Sequence, residues 1–386
     1  MKIDHVHFYL EDAKASRDWF VHQMGFQAVA GGVSNYTCTE VVKNGPVYFV
    51  LSSPLTPLSP VAQFLSQHPA GVADIAFLVE DVEAVMTRAI AHGAKVLQPI
   101  QQHQQGNSCL QWGKIAALGS LTHTFIQQSV CAQELLSRGT LEQRSRKEEA
   151  FILPCSPAQE FSSSSAPLPL CSRAISFPRV DICSFTGIDH VVLNVAAGEL
   201  EGAVAWYKNT LDFYSKQSFK IQTERSALHS QVMVSHNNRV QLAINQPASP
   251  NSQIQEFLDA NRGPGIQHIA LQTPNIVQLI AQLRAIGLSF LPVPPSYYTQ
   301  LQHRQGLTIS AAELEEIAEQ QILVDWEETN PDAVLLQTFT QPIFGQPTFF
   351  FELIERRLQA RGFGEGNFRA LFEAIEREQL KRGSIQ

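Results

Sequence analysis

Two histidines and one glutamate stand out in this chain because each lies where a polar side chain is costly. His190 sits in Ile188-Asp-His-Val-Val-Leu-Asn194, His268 in Gly265-Ile-Gln-His-Ile-Ala-Leu271, and Glu352 in Phe349-Phe-Phe-Glu-Leu-Ile354. All three runs are apolar and built from residue types that favour β-strands. An imidazole or a carboxylate buried in such a run loses its hydration unless it finds a partner. For each histidine the plain alternative is a core side chain satisfied by one hydrogen bond. For Glu352 it is a buried ion pair with Arg356 or Arg357. A bound cation answers all three needs at once. Two histidines and one carboxylate on one wall form the facial triad suited to non-haem Fe(II), with three coordination positions left for a bidentate 2-oxo acid and dioxygen.

What must position these groups is visible as an internal repeat. Ile3-Asp-His-Val6 precedes a helical pattern through Trp19 and Phe20 that ends at Gly25-Phe26, and Ile188-Asp-His-Val191 precedes one through Trp206 and Tyr207 that ends at Asp212-Phe213. A second pair follows in each half. Gly71-Val-Ala-Asp74 leads to a helix from Val82 to His92, and Gly265-Ile-Gln-His268 leads to one from Ile276 to Ile286. Val277, Ile280, Leu283 and Ile286 fall on one helical stripe. Strand, helix, then further strands describes paired βαβββ units. The expected fold is therefore α+β: two tandem open β-barrels, followed by an amphipathic C-terminal helix from about Arg369 to Lys381. His190 and His268 take equivalent strand positions in the two units of the second barrel, and a sheet folded on itself brings such positions face to face.

The first half acts as an internal control. His5 is in place, but Asp74 stands where His268 stands, and Thr122-His-Thr-Phe-Ile-Gln127 carries no carboxylate. The reading is a metal-free barrel in which His5 and His7 are structural.

The bulk numbers narrow the function classes. With 386 residues the chain suits two domains: an N-terminal metal-free barrel over 1–128, a Ser/Pro-rich linker over 129–181, and a catalytic barrel with its terminal helix over 182–386. A net charge of -8 argues against a nucleic-acid binder. No run of about 18 apolar residues offers a membrane span, and the start lacks the pattern of a secretory signal. The six scattered cysteines form no CxxC pair, which argues against a disulfide scaffold and for a reducing, cytoplasmic setting. Ser310, with Glu313 three residues on, reads as the capping box of a helix after the punctuated stretch Pro292-Val-Pro-Pro-Ser-Tyr-Tyr298.

The blocks Gly187-Ile-Asp-His190, Gly265-Ile-Gln-His268, Val334-Leu-Leu-Gln-Thr-Phe339, Thr348-Phe-Phe-Phe-Glu-Leu-Ile-Glu-Arg356 and Gly362-Phe-Gly-Glu-Gly-Asn-Phe-Arg-Ala-Leu-Phe372 stand in an order that resembles the 4-hydroxyphenylpyruvate dioxygenase family of the vicinal-oxygen-chelate superfamily. The resemblance covers the chain apart from the central linker. It implies Fe(II) held by His190, His268 and Glu352, and conversion of 4-hydroxyphenylpyruvate and O2 to homogentisate and CO2 by decarboxylation, ring hydroxylation and side-chain migration. It further implies a pocket in which Ser230, Asn245, Gln253, Gln267 and Gln337 are the polar residues and Phe339, Phe350, Phe363 and Phe368 the aromatic walls. The Gly-rich block resembles the hinge of that family's C-terminal lid. One departure is Ala243, which stands where the family usually has proline two residues before the pocket asparagine; losing that ring should loosen the strand and widen the pocket. The implied partners are the 2-oxo acid and O2, without nucleic acid; the metal-free N-terminal barrel is a natural surface for self-association, and a homo-oligomer (a dimer or tetramer) is expected. Rival readings are 4-hydroxymandelate synthase, a glyoxalase-like metal isomerase or lyase, and a binding protein without activity. Whether the product serves tyrosine breakdown or the synthesis of prenylated quinones and tocopherols is left open.

Overall fold

The computed structural model describes residues 1–130 except 106–107, residues 184–367 except 223–225, 305 and 328, and residues 375, 376, 379, 380 and 383. The linker expected over 129–181 lies outside the described residues apart from its first two, which belong to a strand. Phe368 lies outside them as well. Of the C-terminal helix expected from about residue 369 to 381, residues 375, 376, 379 and 380 are described, and they are helical.

The first half runs β1 (Lys2–Tyr9), α1 (Ala13–Met24), β2 (Gln27–Val33), β3 (Thr37–Asn44), β4 (Val47–Pro54), α2 (Pro60–Gln67), β5 (Gly71–Leu78), α3 (Val82–Ala91), β6 (Val96–Gln105), β7 (Ser108–Ala116) and β8 (Thr122–Val130). The second runs β9 (Gly187–Asn194), α4 (Leu200–Leu211), β10 (Tyr214–Gln222), β11 (Ala227–Val234), β12 (Gln241–Pro247), α5 (Gln253–Asn261), β13 (Gly265–Gln272) and α6 (Ile276–Ala285). It ends with α7 (Pro295–His303), α8 (Ala311–Glu319), β14 (Leu323–Glu327), β15 (Asn330–Phe339) and β16 (Phe350–Arg356). The eight-stranded sheets have orders β2-β3-β4-β1-β5-β8-β7-β6 and β10-β11-β12-β9-β13-β16-β15-β14, the same topology twice. Each is two βαβββ units joined by an antiparallel seam, β1 with β5 and β9 with β13, and each curls into an open half-barrel. The duplication extends to helix ends: α1 stops at Gly25 and α4 at Asp212, both left-handed (φ 66° and 59°), a conformation that aspartate tolerates better than most residues.

Alternation along the strands decides which face does what. Val6 and Phe8 on β1 with Leu10 just beyond it, and Val191 and Leu193 on β9 with Val195 just beyond it, join one core shared by both halves. Phe8 meets Phe349 at 5.2 Å and Phe49 stacks on Phe351 at 5.6 Å, so the helix-bearing faces pack on one another. Each such ring, fully buried, contributes about 2 kcal/mol. The opposite, concave faces carry the intervening residues, among them His5 and His190.

Two sequence expectations change in detail. The stretch after Pro292 is itself the start of α7, because Pro295 stands in the first turn, where its missing N–H costs nothing. Ser310 does cap α8 by accepting from the Glu313 backbone N–H, but the Glu313 carboxylate pairs with Arg357 rather than closing the box. Among the described residues no helix is long and apolar enough to cross a membrane.

Candidate metal centre

Three neighbouring strands, β9, β13 and β16, bring His190, His268 and Glu352 to one spot on the concave face of the second half-barrel. Glu352 Oε2 lies 3.1 Å from His190 Nε2 and 3.6 Å from His268 Nε2. All three side chains are buried. Among the described residues this is the one group of three or more His, Cys, Asp or Glu side chains whose ligand atoms converge for a metal, all within 4.8 Å of one another. The salt-bridge alternative for Glu352 is ruled out by where the arginines go: Arg356 pairs with Asp189, and Arg357 with Glu355 and Glu313.

The β9–β13 seam contains two bulges that sequence reading missed. Pairing steps from Leu271–Ile188 to Ala270–His190, and from Ile266–Leu193 to His268–Val192. Asp189 and Gln267 are thereby left without opposite partners, each one residue before a histidine. A bulge turns two successive side chains toward the same side. The Asp189 carboxylate accepts from His190 Nδ1 at 2.9 Å, and Gln267 Oε1 accepts from His268 Nδ1 at 3.2 Å. With both Nδ1 atoms engaged, both Nε2 atoms face inward, the arrangement that metal-bound imidazoles need. Burial works against charging the His190 ring, but Glu352 on one side and Asp189 on the other overcome it and raise its pKa to about 9. A metal therefore has to displace a proton to bind there. Burial likewise opposes charge on Glu352, and the two histidines reverse this and hold its carboxyl below the ordinary range. His268, where burial dominates, is pushed down. Glu352 Oε1 is buried without a hydrogen-bond partner. An orphaned carboxylate oxygen beside two inward Nε2 atoms fits a divalent cation.

The triad lines an open cavity. Ser230, Asn245, Gln253, Gln267 and Gln337 all line it, as do Phe339, Phe350, Phe363 and Ala243. Phe350 stacks on His268 at 4.8 Å, Phe339 meets the same ring edge-on at 6.4 Å, and Phe363 packs against His190 at 5.0 Å. The rings are thus cavity wall and ligand support at once. Gln253 Oε1 and Gln337 Oε1 are buried without partners. No lysine or arginine is among the described lining residues.

The Gly-rich block covers one side. A Cβ on Gly364 would come within 2.2 Å of Gln337 Oε1 at φ 77°, a conformation that favours glycine, and one on Gly366 within 2.3 Å of the Asp325 carboxylate, which would have to shift. Its anchors were not found from sequence. The Gly366 N–H donates to Asp325 at 2.9 Å, and Asp325 also holds Arg304 at 2.8 Å. The Tyr297 hydroxyl donates to Asn367 Oδ1 at 2.7 Å and accepts from the Val324 N–H at 2.8 Å. Nothing in the local composition around Tyr297 and Asp325 marks them; only the fold brings them to the loop.

A family model described as the Glyoxalase/Bleomycin resistance protein/Dioxygenase superfamily matches residues 2–108 and 187–304, one segment in each half. The chain is 36% identical to 4-hydroxyphenylpyruvate dioxygenase of Yarrowia lipolytica, with 99% of this chain and 93% of that protein covered. It is 34% identical to the enzyme of the same name from Danio rerio, with coverage of 100% and 92%. This chain belongs to the 4-hydroxyphenylpyruvate dioxygenase family. Among solved structures it is similar to a mutant of 4-hydroxymandelate synthase from Streptomyces coelicolor, at a TM-score of 0.76, 25% identity and 98% coverage of both chains.

Within this member of the 4-hydroxyphenylpyruvate dioxygenase family, the N-terminal half keeps the frame of the site and changes its chemistry. Matching registers set His5 against His190, Asp74 against His268 and Thr124 against Glu352. The bulges recur at Asp4 and Ala73, and His5 Nδ1 still donates to Asp4 at 2.8 Å. His7 Nε2 meets Ser52 Oγ at 2.8 Å. Asp74 bonds Thr122 Oγ1 and pairs with Lys114 Nζ at 3.5 Å.

Proposed function

We propose that the chain is an Fe(II)-dependent dioxygenase that converts 4-hydroxyphenylpyruvate and O2 to homogentisate and CO2. The observation that carries this reading is the buried His190–His268–Glu352 cluster on the wall of a cavity whose other described lining residues are neutral amides, a hydroxyl and apolar groups.

The charges support it. Among those lining residues no lysine or arginine is placed to meet the carboxylate of a 2-oxo acid. With Glu352 as its single carboxylate, the set His190, His268 and Glu352 would leave a bound divalent ion net positive, which would suit an anionic 2-oxo acid. When bound, Fe(II) supplies the site for 2-oxo acid chelation and for O2 reduction coupled to decarboxylation and ring hydroxylation.

The protein's share is placement. His190, His268 and Glu352 hold the ion as ligands, not as acid–base groups. Phe339, Phe350 and Phe363 confine the aromatic ring, whose flat face suits their edges and faces. Gln253 and Gln337 offer their unpartnered amide oxygens to the phenolic O–H, with Ser230 and Asn245 as further polar contacts. Gln267 acts through His268. The cover at Phe363 and Gly364 keeps bulk water from the reacting centre.

A second reading, 4-hydroxymandelate synthase acting on the same substrate, is favoured by the similarity to that enzyme's fold. The two differ in where the oxygen goes, the ring or the side chain. Reconstitution with Fe(II) under anaerobic conditions, followed by 4-hydroxyphenylpyruvate and oxygen, separates them by product. Homogentisate with matching O2 uptake is expected. Hydroxymandelate would select the second reading, and turnover without O2 uptake would indicate a glyoxalase-like isomerase or lyase.

A further inference from the structure

The Arg356 guanidinium joins two parts of the site that are far apart in sequence. Its Nε and Nη2 donate to both oxygens of Asp189, at 2.6 and 2.7 Å. Its Nη1 donates to the carbonyls of Ala360 and Gly362, at 3.0 Å each. Asp189 in turn orients His190 through Nδ1, and Phe363, the residue after Gly362, packs on the other side of the His190 ring. One planar cation thus closes a loop of contacts: ligand, bulge carboxylate, arginine, covering strand, and back to the ligand.

The backbone between shows what that hold resists. Leu358 and Gln359 are both left-handed, at φ 46° and 57°, and Leu358 is 73% exposed. Two successive non-glycine residues in that region cost about 1 kcal/mol or more each. No burial of Leu358 offsets this. The turn is closed by the Ala360 N–H donating to the Arg357 carbonyl at 2.9 Å, and beyond it Arg356 holds the carbonyls of Ala360 and Gly362. Its reversal is what sends Phe363 back over the cavity.

The N-terminal half supplies a comparison. Asp4 and His5 repeat the Asp189–His190 pair, but the position of Arg356 is taken by Gln128, which pairs with Leu110 as Arg356 pairs with Leu335. The arginine stands in the half that has the intact ligand set.

We propose that Arg356 is a positioning residue that couples the hold of His190 on its metal to closure of the cavity wall at Phe363. The inference rests on the metal reading of the triad. Because coupling is reciprocal, metal binding should tighten the 358–364 turn, and the turn should strengthen metal binding. Lysine cannot replace the arginine, since an ammonium cannot meet a carboxylate with two parallel donors while holding two carbonyls.

The test uses the full chain with Co(II), whose visible spectrum reports ligand geometry without turnover, together with hydrogen exchange of the backbone over 357–367. In the native protein, Co(II) should bind and slow exchange across 358–364. Arg356→Gln should bind Co(II) about 10–100-fold more weakly, with an altered spectrum and no metal-dependent slowing. Arg356→Lys, which keeps the charge beside Asp189, should fold even where the glutamine variant does not, and should still lose the slowing. A folded variant of either kind with native Co(II) affinity, native spectrum and retained slowing would overturn the coupling. Failure of the native protein to bind Co(II) would instead overturn the metal reading beneath it.

Discussion

Lys114 Nζ lies 3.5 Å from the Asp74 carboxylate, on the concave face of the N-terminal half-barrel. By register Lys114 replaces Phe339 and Asp74 replaces His268, so the chain supplies its own cation beside the pseudo-equivalent of the metal site. Burial opposes both charges, yet each partner outweighs it: Asp74 is held down and Lys114 pushed up. Removing one member leaves a buried charge unpaired. Lys114→Met is expected to destabilise the protein by about 3 kcal/mol, read as a lower urea midpoint at unchanged slope. An unchanged midpoint would mean the pair is solvated and contributes little.

His123, fully buried, spans the two halves by meeting Tyr207 OH at 3.0 Å and the Ile75 carbonyl at 3.3 Å. Burial outweighs the nearby Asp74 carboxylate and lowers its pKa from 6.5 to about 4. The unfolded chain therefore takes up a proton that the folded ring refuses, and stability falls as pH drops from 6.5 toward about 4. His123→Gln should lower stability near pH 7.5 but flatten that acid loss. A variant whose stability falls as steeply as the native protein's would show that other groups set the acid limit.

Gly364 touches Gln337 so closely that a methyl group cannot be added without moving the amide. Gly364→Ala is expected to lower kcat about 100-fold, the scale of a misplacement of about an ångström, and to cost far less in iron content than in rate. Metal analysis beside steady-state rates decides this. Equal loss of iron and rate would place the defect at the triad instead.

Tyr297 holds the covering loop from behind, through Asn367 and the backbone of Val324. Tyr297→Phe leaves those groups without their partner and should cost about 1–3 kcal/mol. It should also open the cover, raising KM more than it lowers kcat. Native stability with native KM would show that the loop is held by Asp325 alone.

Much of this was legible in the sequence because it depends on local pattern. The repeat around His5 and His190 gave the tandem half-barrels, since alternation and helical spacing are written into each run. The triad was legible because a histidine or glutamate in an apolar strand needs a partner. The bulges at Asp189 and Gln267 were not, because a one-residue offset between paired strands is a property of the seam and not of either strand alone. For the same reason the reach of Arg356 to Asp189, 167 positions away, and of Tyr297 to Asn367 has no signature in composition. The capping box at Ser310 was half right: the cap is local, while the Glu313 carboxylate was drawn off by Arg357 from another element.

The account stands or falls on the triad, and the most direct measurement is iron stoichiometry under anaerobic conditions in the native chain and in Glu352→Ala. The native protein should bind a single ferrous ion per chain. The variant should keep its far-ultraviolet circular dichroism and bind none, with turnover of 4-hydroxyphenylpyruvate lost as well. An iron-loaded, active Glu352→Ala protein, or a native protein that binds iron elsewhere, would contradict the assignment.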